Sequence, residues 1–163
     1  MSKTKKLCYF AMLTALYVVM SAFLKFYVGV GHIQVDLGYI AFAVALCEFG
    51  VSGAVVGILG CAIESTLFTS YGFSISWVVA NAVIGIDCGL VFSKSAKLLV
   101  RAVAIILYTA IGMLMLKTVI ECNLYSIPYA VKFPKSFAAF VADSIVMICG
   151  LVFYEILKKR RIA

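Results

Sequence analysis

The chain has 163 residues, 65% hydrophobic and 13% charged, with a mean hydropathy of +1.14. That composition belongs to an integral membrane protein and excludes a soluble globular domain. At roughly 20 residues per crossing, the length accommodates six spans and leaves no room for a nucleotide-binding domain.

The first span is expected from about Leu7 to Val28 and holds Ala11-Met12-Leu13-Thr14-Ala15. Two alanines four apart share one helix face and leave a flat strip for close approach of another helix. Internal packing and docking of a partner both fit that strip. The span lacks a small-residue cleavage site and is read as an ordinary crossing, not a leader. Lys25 to Asp36 follows, with Gly29 and Gly31 flanking Val30, then His32, the single histidine, and Gln34. Its glycines predict an irregular, mobile external loop.

The second span is expected over about 33–49, short for a full crossing, and the third over about 51–69. Gly53-xxx-Gly57 permits tight packing against a neighbour. Glu64 lies about 20 Å up the third span. A carboxyl at that depth faces the bundle or a wet cavity, serving either a site or a helix–helix hydrogen bond.

The fourth span, about 74–92, begins with the most site-like pattern. Ser74, Trp77 and Asn81 recur at helical spacing on one face. An aromatic ring beside an amide offers stacking and a two-way hydrogen-bonding edge to a planar polar heterocycle. Trp77 also suits a membrane-interface belt, whereas Asn81, about 10 Å below the helix end, does not. Gly85 and Gly89 form a second small-residue face, and Asp87 between them meets water or contacts Lys94 or Arg101.

The fifth span is expected over about 98–117, with Thr109, Met113 and Lys117 on one face. Residues 118–133 read as an outer loop long enough to fold over a cavity mouth. The sixth span covers about 132–157, with Lys132, Ser136, Ala139 and Asp143 at helical spacing and Lys135 beside them. Lys117, Lys132 and Lys135 suit a substrate carboxylate or phosphate, or snorkel to headgroups. Asp143 lies deep enough to need a partner, with Lys117 or an interhelical hydroxyl as candidates.

The formal charge of +7 does not call for nucleic acid, because ten of the 14 Lys and Arg form three clusters. These are Lys3, Lys5 and Lys6; Lys94, Lys97 and Arg101; and Lys158, Lys159, Arg160 and Arg161. An even number of spans puts all three on one side, with both termini cytoplasmic. The six cysteines are scattered without CxxC spacing and read as packing residues, so no metal site is expected. No phosphate loop or HExxH occurs, and no inverted repeat suggests a transporter of symmetric halves. The expected architecture is an all-α integral membrane protein, a compact single-domain bundle of six transmembrane helices in the cell membrane.

The Ala11/Ala15 pair, the six-span size, the polar start of span 4 and the turn Glu48-Phe49-Gly50-Val51-Ser52-Gly53-Ala54-Val55-Val56-Gly57 together resemble the substrate-binding S component of energy-coupling factor (ECF) vitamin transporters. That family usually has a proline where this chain has Val51. The resemblance implies a non-enzymatic subunit that binds a water-soluble vitamin or vitamin precursor from outside. It implies docking of Ala11 and Ala15 on a transmembrane coupling subunit, with two cytoplasmic ATPases using ATP, no cofactor in this chain, and inward delivery by toppling of the subunit. It also makes the loop with His32, Gln34 and Asp36 a substrate gate, with a plain hydrated connection as the other reading. Substrate contacts are expected from Asn81, Trp77, Ser74, Glu64, Lys117, Lys132, Lys135 and Ser136. Spans 2 to 4 look similar to the folate branch, with Tyr71-Gly72 replacing its proline-glycine lead-in; thiamine-like precursors, pyridoxine-type vitamins and pantothenate stay open. Two other classes fit the residues: a scaffold of the rod-shape type, and a solitary ion-coupled carrier that depends on Glu64 or Asp143.

Overall fold

The computed structural model describes residues 3–24, 26–28, 33–69 and 72–162. Its helices are α1 (Lys3–Phe23), α2 (Gly38–Phe49), α3 (Ala54–Phe68), α4 (Ile75–Lys94), α5 (Leu98–Ala110), α6 (Thr118–Tyr125) and α7 (Tyr129–Ile162). A 3-10 turn, Gly50–Gly53, joins α2 to α3, and a π-helical segment, Ile111–Lys117, carries α5 into α6. Strands β1 (Phe26–Val28) and β2 (Ile33–Val35) pair antiparallel between α1 and α2, with Tyr27 opposite Gln34.

Among the described residues, five helical runs are long and apolar enough to cross a membrane: Lys3–Phe23, Gly38–Phe68, Ile75–Lys94, Leu98–Tyr125 and Tyr129–Arg160. The second doubles back on itself. Gly50 has φ +57°, a left-handed value that glycine adopts without a Cβ clash. Beyond it, Gly53 backs onto the Ala45 carbonyl and Gly57 onto the Phe42 ring. These two pairings make α3 antiparallel to α2.

The core is built around α2. Tyr39, Ala41, Phe42, Ala43, Ala45 and Leu46 are all at most 1% exposed. A helix with no polar face is buried all round, and its alanines let neighbours come close. Both glycine pairs expected at tight seams lie at such seams. A Cβ on Gly85 would stand 2.7 Å from the Ala54 Cβ, and one on Gly89 would stand 2.6 Å from the Val51 Cα.

The three basic clusters lie at one end of the bundle, where cross-links tie the helices together. Lys6 Nζ donates to Ser52 Oγ at 3.3 Å, and Tyr154 OH to Glu48 Oε2 at 2.8 Å. Arg101 donates to Ser95 O, Phe92 O and Glu155 Oε1 at 2.8, 3.2 and 3.1 Å. Two of those acceptors are carbonyls at the C-terminal end of α4, where a helix leaves acceptors unsatisfied. Arg101 is thus committed to Glu155 and α4, and forms no ion pair with Asp87.

Two segments differ from the sequence expectation. The first span stops at Phe23 and the second helix starts at Gly38, because Phe26, Val28, Ile33 and Val35 are strand formers that pair. Asp36 does not stay in a hydrated loop: it is 1% exposed and accepts from Ser21 Oγ at 2.5 Å and Gly38 N at 2.8 Å. Its carboxylate therefore holds the start of α2 to α1. The stretch read as an outer loop, 118–133, is helical except at Ser126, Ile127 and Pro128. Ser126 takes the left-handed conformation that ends α6, and the Pro128 carbonyl accepts the first bonds of α7 from Val131 N and Lys132 N at 3.0 and 3.3 Å.

Candidate functional site

At the end away from the basic clusters, α3, α4, the π-helical segment, α6 and α7 enclose a cavity of about 460 Å³. That volume lies within the range of small-molecule sites, about 300–1,000 Å³. Glu64, Ser65 and Thr69 come from α3 and the residue after it, and Ser74 and Trp77 from the start of α4. Lys117 and Glu121 come from the continuous π–α6 rod, and Lys132 and Lys135 from the first turns of α7. Six expected contacts, namely Ser74, Trp77, Glu64, Lys117, Lys132 and Lys135, thus line one space.

Its polar groups are ordered by specific bonds. Lys132 Nζ pairs with Glu121 Oε2 at 2.5 Å, while Ser76 Oγ donates to Glu121 Oε1 at 3.1 Å. Ser74 Oγ and Ser76 Oγ lie 3.1 Å apart, and Ser74 N donates to Ser65 Oγ at 3.4 Å. The Lys117 ammonium lies 4.0 Å from the centre of the Trp77 ring, a cation–π distance. Among the described residues it makes no hydrogen bond or ion pair, although it is 7% exposed.

The π-helical segment places this lysine. Wider winding shifts the register of side chains along a helix, and Thr118 Oγ1 back-bonds to Met113 O at 2.8 Å across it. Thr109, Met113 and Lys117, expected on one face, are all buried. Glu121 continues that face into α6, where it is 6% exposed. Reading residues 118–133 as a loop hid Glu121 and Tyr125; the four-residue step from Lys117 to Glu121 is the signal that finds Glu121.

Other expected residues lie elsewhere. Asn81 is fully buried below the cavity and does not line it; its Nδ2 donates to Trp77 O at 3.1 Å, fixing that turn of α4. Ser136 is 4% exposed and also does not line the cavity. Asp143 is buried, and its Oδ1 has no hydrogen-bond partner among the described residues. His32 and the Gln34 side chain lie outside the described residues. Among the described residues, no cluster of His, Cys, Asp or Glu has metal-binding geometry.

Ala11 and Ala15 are exposed on a different face. With Leu7, Phe10, Val18 and Val19 they form one wall of an apolar groove of about 570 Å³; Val55, Leu59 and Ile63 of α3 form the other.

Residues 1–159 match the family model described as ECF-type riboflavin transporter, S component. A crystal structure of the S-component for biotin from an ECF-type ABC transporter is similar at TM-score 0.69 and 17% identity, over 98% of this chain and 95% of that one. A crystal structure of FolT bound with folic acid is similar at TM-score 0.73 and 17% identity, over 92% of this chain and 91% of that one. At such identities these two likenesses concern the fold alone. No curated protein matches the chain.

Proposed function

This chain belongs to the ECF-type riboflavin transporter S component family and is a vitamin-binding membrane subunit, and from that premise we propose how it binds and delivers its ligand. The ligand enters the 460 Å³ cavity and lies against Trp77, with the polar groups of Ser74, Glu64, Lys117, Glu121, Lys132 and Lys135 orienting it. The observation that carries this reading is the convergence of those residues from four elements on one space of ligand size. Asn81 and Ser136 support that wall from behind. Riboflavin comes from the description of the family, biotin and folate from the similar structures, and the folate lean of the sequence is compatible with all of these.

The chain crosses the cell membrane six times, with α2 and α3 as separate crossings and the hairpin at the outer end of the short α2. The positive-inside pattern puts the basic end and both termini in the cytoplasm, so the cavity opens outward. The groove beside Ala11 and Ala15 accepts a helix of a transmembrane coupling subunit, since small residues let helices approach closely in lipid. Two cytoplasmic ATPases then supply the energy that this chain does not. It catalyses no reaction itself.

The test is mass spectrometry of small molecules that co-purify with the detergent-solubilised protein, repeated on Asn81→Ala. A vitamin retained by the native protein and weakened in the variant supports the reading. No retained molecule, together with no thermal shift across a panel of riboflavin, biotin, folic acid, thiamine, pyridoxine and pantothenate, overturns it.

A further inference from the structure

Lys117 is a buried ammonium in the cavity wall that lies against an aromatic face and makes no direct ion pair among the described residues, with Glu121 and Asp143 acting on it only through space. Its exposure is 7%, and its close neighbour is the Trp77 ring at 4.0 Å. Taking a charge out of water is costly unless an opposite charge or several hydrogen bonds compensate, and one aromatic face offsets only part of that cost. The acids of the cavity are engaged elsewhere. Glu121 is ion-paired with Lys132 and accepts from Ser76, and Glu64 is not without a partner of its own. Asp143, buried behind the wall, makes no ion pair with Lys117. The exposed Lys135 lines the same cavity and likewise forms no ion pair among the described residues. Two cations therefore face a space whose acids are already held.

We propose that the ligand is anionic and that Lys117 holds its carboxylate or phosphate group, with Lys135 as the first contact at the mouth. This rests on the vitamin-binding reading of the cavity and narrows it: a free carboxylate or a phosphate ester fits the wall, and an uncharged vitamin leaves the ammonium without a direct anionic partner. The π-helical segment that ends at Lys117 delivers the charge to that point of the wall. Trp77 is the single tryptophan of the chain, so its fluorescence reports from beside the ammonium.

The test titrates the protein in phosphatidylcholine nanodiscs with matched probes, biotin against biotinamide and riboflavin 5′-phosphate against riboflavin, following Trp77 emission. The charged member of at least one pair is expected to bind about 10- to 100-fold more tightly, the worth of a charge-assisted hydrogen bond. Lys117→Gln is expected to erase that difference and Lys117→Arg to keep it. Equal binding within each pair, or a preference that survives Lys117→Gln, overturns the proposal. A second measurement needs no vitamin: the melting temperature of ligand-free Lys117→Met is expected to equal or exceed that of the native protein. A large fall means that the charge is already compensated inside the protein, and overturns the proposal. If no probe binds, the vitamin reading fails while this second measurement still decides on Lys117. A Trp77 response to added phosphatidylglycerol alone, lost in Lys117→Gln, assigns the anion to a lipid headgroup and overturns the vitamin form of the proposal.

Discussion

Glu121 of α6 and Lys132 of α7 form an ion pair, 2.5 Å between Oε2 and Nζ, at the rim of the cavity. The two side chains are unequally sheltered, 8% exposed for the acid and 23% for the base. Removing the base therefore strands the more buried charge. Lys132→Met is expected to cost about 2–3 kcal/mol, and Glu121→Gln, which retains an acceptor for Ser76 and lets Lys132 turn to water, about 1 kcal/mol. Thermal unfolding of the two variants in the same detergent checks the order. The reverse order contradicts this account of the pair.

Trp77 offers the cavity its largest flat surface. Trp77→Ala is expected to weaken binding of an aromatic vitamin by about 3- to 10-fold through loss of ring stacking. Equilibrium dialysis measures this without the lost fluorophore. Unchanged affinity would place the ligand elsewhere in the bundle.

The groove lined by Ala11 and Ala15 is separate from the cavity, so the two functions should separate by mutation. Ala15→Trp fills the groove without touching a cavity residue. Uptake in cells that carry a coupling module is expected to fall to background, with ligand affinity unchanged in the isolated protein. Loss of binding in that protein would argue against a docking role.

The seam between α3 and α4 has no slack at Gly85, where an added Cβ would lie 2.7 Å from Ala54 Cβ and 2.9 Å from the Phe42 ring. Gly85→Val is expected to destabilise the bundle by about 1–3 kcal/mol through overpacking. The same change at Gly72, whose Cβ would meet nothing within 4 Å, serves as the control for space but not for backbone, since Gly72 has φ +70°. A lower melting temperature for Gly85→Val than for Gly72→Val is the expected result.

Much of this was legible in the chain because membrane helices announce themselves by length, and because glycine pairs mark close seams. Ser74 and Trp77 were placed on one face by helical spacing, and both line the cavity. Spacing gives a face but not what covers it. Asn81 shares the face with Trp77, yet packing buries it and turns its amide to the Trp77 carbonyl. Local propensity misled at the two connections. The glycines after Val28 suggested an irregular loop where Phe26–Val28 and Ile33–Val35 pair. Polar residues around Asn123 suggested a loop where the π-helical segment continues into α6. A π-helix has no sequence period of its own to read, so the register that sets Lys117 against the Trp77 ring emerged only from the fold.

Ile63 and Glu64 are neighbours in the chain, but the first lines the apolar groove and the second the polar cavity. One helix, α3, is thus a party wall between two spaces of opposite character. A turn of α3 about its own axis cannot be confined to either room: whatever swings Glu64 also swings Ile63. News of an occupied cavity would need to travel no further than the thickness of a single helix.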